Sequence, residues 1–461
     1  MKRKIKLLLV FGIIFLVVGG GFLSIYLMLY FGQRPEDAEI EIWGHKGDFE
    51  KYDFISGAGS EDDPYIIRNL VVVTNKNYAL AIYCESEVIY IINCTITNNY
   101  NKRRNANIGI SLNFQGKTII ENNTIQSYGG GIVVDRHSHQ EATTNEKYVT
   151  VKNNHVYDVS NHLYINSQNA EVMNNTLIRD TEPKERWIYG SYISIENNLS
   201  IINNTLVKTG FDFNMGTFSL NFSTIKIEGN QINGLPLLVV LNEEDLFIEN
   251  ISIGQVAVIA SENITLSKLI LQYTSNGISI LLSNNCTIEN NKLSDNIMGI
   301  RIFNCKLLSI RRNIIQNHYN IAINTYYMMD SDIFENTCTT SWRGIDLTSS
   351  SNNNVSNNTV SECNGGITVF RNSYNNTIKD NLLQNNRGDW GIFIVGDNCS
   401  IYNNTLIDNN TDRDGKQGYD SGTGNKWFDG TTGNKWSDWS GSGYYYLDGN
   451  AGNYDPYPSF P

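Results

Sequence analysis

The chain has 461 residues and a formal charge of −12, with 41% hydrophobic and 18% charged residues. It holds 64 Asn beside only 7 Pro, 7 Met and 6 His; Asn is poor in helix interiors and well suited to turns, which speaks against a helical bundle. A phosphate-backbone binder carries clustered Lys and Arg in excess, so 35 of them against 47 Asp and Glu argue against a nucleic-acid partner.

Lys2, Arg3, Lys4 and Lys6 precede an uncharged, mostly apolar run from Leu7 to Phe31. About 25 residues at about 1.5 Å each exceed the roughly 30 Å hydrocarbon core, so the run predicts a transmembrane helix. No small-x-small cleavage site follows Phe31, so a signal anchor is expected, with the basic end cytoplasmic and the rest outside the cell. Residues 1–32 are then the cytoplasmic end and single-pass membrane span, and 33–64 a linker and N-terminal cap.

From residue 65 to 411 one template recurs: an aliphatic, two variable residues, Asn, one variable residue, and a second aliphatic. Its Asn are Asn69, Asn123, Asn154, Asn175, Asn204, Asn230, Asn291, Asn313, Asn336, Asn358, Asn381 and Asn404. From Asn291 to Asn404 the steps are 22 or 23 residues, and Gly277, Gly299, Gly344, Gly366 and Gly391 keep the same beat. Short apolar runs such as that after Gly277 read as strands. Three strands and three turns fill one coil. Both aliphatics point inward if Asn takes a left-handed conformation between them, and stacked coils then align the amides in a ladder. The predicted fold is all-β, a single-stranded right-handed parallel β-helix of about 15 coils, winding as one long domain with both ends capped. Longer steps before Asn230 predict loops at Tyr100–Asn107, Asp135–Lys147 and Thr181–Tyr189.

Residues 412–461 are expected to cap the last coil, with two Thr-Gly-Asn-Lys-Trp copies ending at Trp427 and Trp436, then Trp439. Gly59-Ser-Glu-Asp-Asp-Pro-Tyr-Ile-Ile67 opens the coils, and Gly433-Asn-Lys-Trp-Ser-Asp-Trp-Ser-Gly441 with Asp455-Pro-Tyr-Pro458 closes them. Together they resemble archaeal NosD-like right-handed β-helix proteins of the pectin-lyase-like superfamily. What that resemblance implies is broad: carbohydrate-binding and sugar-hydrolysing modules, pectin lyases, alginate epimerases, and a periplasmic protein linked to copper-site maturation.

Candidate chemistry is scattered. Asp135-Arg136-His137 resembles the Asp-Pro-His motif of alginate epimerases, with Arg136 for Pro and Ile132 where that family has Tyr; His155, His162 and Lys152 follow in the next coils. A polysaccharide lyase or uronate epimerase would use Asp135, Arg136, His137 and His162. Asp346 and Asp389 stand as isolated carboxylates without a hydrolase motif around them. Copper would want clustered Met, His or Cys, which the sequence lacks. Asn410-Thr-Asp412-Arg-Asp414-Gly415 resembles the start of a calcium-binding EF-hand loop, with Ser421 rather than Glu at its twelfth position and Asp420 adjacent, so Asn410, Asp412, Asp414 and Asp420 are the expected calcium ligands. Trp427, Trp436 and Trp439 can stack on sugar rings or simply cover the helix end.

Sequons at Asn93, Asn122, Asn174, Asn203, Asn285, Asn357, Asn375 and Asn403 are glycosylation candidates, although a repeat with Asn-Asn-Thr at each turn creates them by construction. Seven dispersed Cys read as buried single thiols. The leading expectation is a membrane-anchored extracellular β-helix that binds surface glycans or envelope partners without turnover. The alternatives are the lyase or epimerase on an acidic polysaccharide, and a NosD-like accessory role in metal-site maturation.

Overall fold

The computed structural model describes residues 38–43, 46–84, 87–98, 108–114, 116–127, 129–135, 148–157, 159, 161–179, 190–215, 220–413 and 415–461. The expected membrane span at 7–31 lies outside them, as do the expected loops apart from Asp135. No helix among the described residues is long and apolar enough to cross a membrane. The chain forms two compact units, one of Leu29–Leu238 with Tyr273–Ser275, the other of Val239–Gln272 with Asn276–Pro461.

Both units are built of coils with three short strands that pair in parallel with their equivalents one coil later, apart from Ile55–Ser56, which runs antiparallel to Tyr65–Arg68, and this makes each unit a parallel β-helix. In the N-terminal unit sheet one has seven strands, from Ala38–Trp43 and Tyr78–Cys84 to Ser191–Ile195 and Phe211–Met215. Residues expected only as a cap thus supply its first strand, in register with Tyr78–Cys84. Sheet two runs from Ile55–Ser56 to Lys226–Glu228, and sheet three from Val71–Thr74 to Gln231–Ile232. In the C-terminal unit sheet one runs from Gln255–Ile259 to Gly418–Asp420, sheet two from Phe247–Glu249 to Ser400–Tyr402, and sheet three from Ile270–Gln272 to Lys435–Trp436.

The period-2 pleat sends alternate side chains inward, and the repeat puts the same kind of residue at each level. Ile278, Ile300, Ile323, Ile345, Ile367 and Ile392 lie in successive register with no exposed surface. Each such side chain contributes roughly 1.5 to 3 kcal/mol of burial, and none of it is available to a coil without neighbours.

The repeated amides do form files. In the N-terminal unit Asn123 Nδ2 donates to Asn154 Oδ1 at 2.9 Å, Asn154 to Asn175 at 3.0 Å, Asn175 to Asn204 at 2.9 Å and Asn204 to Asn230 at 2.9 Å. In the C-terminal unit the same bond links Asn291, Asn313, Asn336, Asn358, Asn381 and Asn404 at 2.9 to 3.0 Å. Each amide is fully used: Asn358 Nδ2 also donates to the Ile333 carbonyl at 2.8 Å, and Asn358 Oδ1 accepts the backbone N–H of Asn336 at 3.0 Å.

Two details differ from the sequence reading. The left-handed residue is the one before the file, not the file Asn itself: Asn122, Asn174, Asn203, Asn357 and Asn403 have φ of 52° to 57°. Asn69 is such a residue, exposed at φ 56°, so it belongs to the turn and Leu70 takes the inward slot. All eight sequon Asn occupy this exposed left-handed position, one residue ahead of a buried slot.

Three files run into the C-terminal cap, and each stops on an aspartate. Asn404 passes to Asn434 at 2.9 Å, whose backbone N–H reaches Asp455 Oδ2 at 2.6 Å. Asn353 donates to Asn376 at 3.0 Å; one coil on, the Cys399 N–H reaches Asn425 Oδ1 at 2.8 Å, and Asn425 donates to Asp420 Oδ1 at 2.9 Å. Asn386 passes to Asn409 and then Gln417, whose Nε2 donates to Asp438 Oδ1 at 2.7 Å. A file of amides leaves a donor at its last level, and a carboxylate, which only accepts, satisfies it with a charge-assisted bond. All seven Cys are buried free thiols.

Candidate functional site

The outward face of sheet one in the N-terminal unit carries Asp135, the one described residue of the Asp135-Arg136-His137 motif. Asp135 lies in register with Asn166, whose Nδ2 donates to Asp135 Oδ1 at 2.9 Å, and Asp135 is buried. Beside it Tyr164 stacks on Tyr192 with ring centroids 4.6 Å apart, and the Tyr192 hydroxyl oxygen accepts from Asn214 Nδ2 at 3.0 Å. Glu196 is also buried there, and burial pushes its carboxyl up to about 7 against a bond from Ser194. Arg136 and His137 lie outside the described residues. His162 is wholly buried, and burial, with the charge of Arg179 second, pulls its imidazole down to about 3. A ring sealed from solvent and held neutral is a packing residue rather than a proton carrier. His155 sits exposed on sheet three, apart from Asp135, and Lys152 is paired to Glu121 at 3.2 Å. Among the described residues the structure therefore brings together Asp135, Tyr164 and Tyr192, and not His155 or His162.

Two of the three cap tryptophans are not where a sugar can reach them. Trp427 and Trp436 are 1% and 0% exposed, and their indole N–H groups donate to Asp420 at 2.8 Å and Asp455 at 2.9 Å, the carboxylates that end two files. Trp439 is half-buried against Phe460 at 5.2 Å. Asp420 is likewise unsuited to calcium: its two oxygens already receive Gly422 N, Asn425 Nδ2, Trp427 Nε1 and Asn453 Nδ2 at 2.7 to 2.9 Å. Asn410 Nδ2 donates to the Lys416 carbonyl, Asp412 is exposed, and Asp414 lies outside the described residues. The proposed loop thus loses Asp420 as a ligand, because that carboxylate holds the cap together.

A different constellation sits on the outward face of sheet one in the C-terminal unit. Successive coils place Asp346, Thr368, Phe393 and Tyr419 in register, while Ile345, Ile367 and Ile392 point inward. Phe393 lies nearly parallel to Tyr419, centroids 4.6 Å apart at 15°, and Trp390 packs against both at 5.2 and 4.6 Å. Phe370 meets Phe393 edge-on at 6.0 Å. All four rings are half-buried, so each keeps part of its surface open. The Trp390 indole is held by Asp448 Oδ2 at 2.9 Å.

Charged groups border this aromatic shelf. Arg343 lies over Phe370 at 5.0 Å, pairs with Asp346 at 3.3 Å and reaches toward Asp389 at 4.0 Å. Arg413 pairs with Asp389 at 3.0 Å and lies over Trp390 at 5.6 Å. Burial pushes the Asp346 carboxyl up to about 6, with Arg343 opposing, and raises Asp389 against the pull of Arg413 and Arg343. The two aspartates that look isolated in the sequence are thus joined through one guanidinium. The rings and arginines come from four coils and carry no local motif, so only the 22- to 26-residue register unites them.

Residues 227–441, just under half of the chain, match the family model of NosD, described as a periplasmic copper-binding protein. Over those residues the chain is similar to that family, and its described strands stack as a parallel β-helix. No curated protein sequence matches the chain. Among solved structures, the periplasmic alginate epimerase AlgG is similar at 14% identity and TM-score 0.30, over 74% of this chain and 70% of that one. A lacto-N-biosidase from Eubacterium ramulus follows at 10% identity and TM-score 0.22, over 80% and 58%. The A-module of an Azotobacter vinelandii mannuronan C-5 epimerase gives 11% identity and TM-score 0.19, over 78% and 80%. Likeness at that level carries nothing about the chemistry of this chain. A copper centre needs convergent soft or imidazole donors, whereas the thiols here are buried and unbonded and no group of three His, Cys, Asp or Glu converges among the described residues. The described donor set does not fit copper.

Proposed function

We propose that the protein binds a glycan chain on the aromatic shelf of the C-terminal unit, without turnover, and does so outside the cell, held to the membrane by residues 7–31. The observation that carries this reading is the outward Phe393–Tyr419 stack with Trp390 against both rings. A sugar ring offers an apolar C–H face and a rim of hydroxyls, which matches an open aromatic surface bordered by carboxylates and guanidinium groups. Binding rather than catalysis is favoured because Asp389 is held between two arginines and Asp346 is only 3% exposed. A general acid or base must come within about 3 Å of the proton it moves. The exterior placement draws on the basic residues before Leu7 and on the similarity to a periplasmic protein.

Calorimetric titration of the full-length chain with a panel of soluble glycans tests the reading, with Trp390→Ala and Tyr419→Ala measured alongside. The expected result is binding of at least one glycan that weakens about tenfold in each variant, an aromatic contact of roughly 1 kcal/mol or more. A glycan bound equally by wild type and both variants removes the shelf from the account.

A further inference from the structure

We propose that the outer face of the C-terminal cap, carried by Tyr444, Tyr446 and Tyr454, docks on the same face of a second copy of this chain; the proposal does not rest on the glycan-binding reading.

The cap ends in a two-stranded antiparallel ribbon in which Tyr445 and Tyr446 pair with Asp455 and Tyr454. Successive side chains of a strand point to opposite faces, so the ribbon has an inner and an outer side. On the inner side Tyr445 stacks on Trp436 with centroids 3.9 Å apart, its hydroxyl donates to Asp438 at 2.8 Å, and Asp455 closes the file at Asn434. On the outer side Tyr444, Tyr446 and Tyr454 are 52%, 62% and 43% exposed. Tyr454 lies nearly parallel to Tyr444 at 4.7 Å and meets Tyr446 at 5.9 Å. A ribbon this short does not hold its shape alone in water, so the packed inner side is what fixes it. The outer rings are thus placed before any partner arrives, and they lose little freedom on docking.

Charge and area select the partner. Residues 440–461 contain no Lys, Arg or Glu, in a chain with 18% charged residues and a formal charge of −12. Their two aspartates are engaged, Asp448 by Trp390 Nε1 and the Lys416 backbone N–H, Asp455 by the Asn434 backbone N–H and Trp436 Nε1. Two acidic copies repel one another as wholes, but on this face they meet without burying an unpaired charge. Tyrosines with Ser, Gly and Asn between them are also the composition of adaptable protein-recognising surfaces. Tyr457 and Phe460 follow within six residues of Tyr454 and are 49% and 57% exposed. The five half-open rings offer roughly 400 to 600 Å² of aromatic surface, more than half of the about 800 Å² that each partner gives to a standard interface. An anionic polymer finds no cation here, and a lipid surface would call for Lys or Arg beside the rings.

Sedimentation equilibrium of the full-length chain in detergent, over a concentration series, tests the proposal on wild type, Tyr446→Phe and Tyr446→Asp. Wild type and Tyr446→Phe are expected to dimerise. Tyr446→Asp, which sets a carboxylate on both sides of a self-complementary contact, is expected to raise the dissociation constant at least about tenfold, and Tyr444→Asp to do the same. A wild type that stays monomeric overturns the proposal, also where a neutral glycan is found on these rings instead. Dimers that form equally well in both Asp variants overturn the assignment to this face and move the contact elsewhere, for example to residues 7–31. Because the substituted rings are exposed, unchanged melting temperatures show that docking, not folding, is what the Asp variants lose.

Discussion

Asp455 occupies the place that a further asparagine would take above Asn434: its Oδ2 accepts the Asn434 backbone N–H at 2.6 Å, as each Asn Oδ1 does for the level before it. The same oxygen takes the Trp436 indole N–H at 2.9 Å. Asp455→Leu leaves these donors buried without acceptors and is expected to cost about 3 kcal/mol or more, whereas Asp455→Asn, which keeps one acceptor oxygen, costs less. Chemical denaturation of the three proteins reads the order; equal stability of Leu and wild type would refute the role.

Within the files the amide satisfies several groups at once. Asn358→Ala strands the donors of Asn336 and the carbonyl of Ile333, so a loss of about 2 to 4 kcal/mol is expected. Asn358→Ser should lose less, because Ser331 already fills a slot in a neighbouring file, taking the Leu308 N–H at 2.9 Å and donating to the Met329 carbonyl at 2.7 Å. Urea midpoints that rank Ser below Ala would contradict this.

His318 is wholly enclosed, and burial pulls its imidazole down to about 4, against the opposing influence of the Asn296 backbone and Asp295. The unfolded ring takes up a proton below about 6.5 while the folded ring does not, so its contribution to stability is present above pH 6.5 and is lost as pH falls toward 4. The difference in unfolding free energy between wild type and His318→Gln should therefore shift in favour of the variant by about 1.4 kcal/mol per pH unit across that window. A pH-independent difference would show that the ring titrates freely.

Asp346 works in the opposite sense. Burial raises its folded carboxyl from 3.8 to about 6, so the native state holds a proton that the unfolded state has released. That contribution is present below about pH 4 and is lost as pH rises through 6. Asp346→Asn should gain on wild type over that range by an amount on the order of 1 to 3 kcal/mol, read as melting temperature at pH 4 and pH 8. A constant offset would mean that Arg343 balances the desolvation.

The periodic part of the molecule is written locally, which is why it can be read from sequence. An inward aliphatic, a buried amide and a second inward aliphatic recur whatever the loops do, and one slip at Asn69 arises because an Asn in the turn looks like an Asn in the file when Leu70 holds the slot. The shelf is different in kind. Phe370, Trp390, Phe393 and Tyr419 are ordinary residues of three separate stretches, and their meaning comes from register across coils. The cap tryptophans were visible but ambiguous, since the same ring stacks on a ligand or covers a core. The repeated Thr-Gly-Asn-Lys-Trp held the answer in its Asn: Asn425 and Asn434 continue the amide files, which ties Trp427 and Trp436 to the aspartates at their ends.

Because each file is closed by its own carboxylate and every level in between is interchangeable, the length of the C-terminal unit is set independently of its ending. Excising a stretch from one buried amide to the next, such as from Asn313 up to Asn336, rejoins like to like and leaves Asp420, Asp438 and Asp455 with the same neighbours. Cutting by part of a coil throws three separate files out of step together. Such a protein can change its span by whole storeys and by nothing smaller.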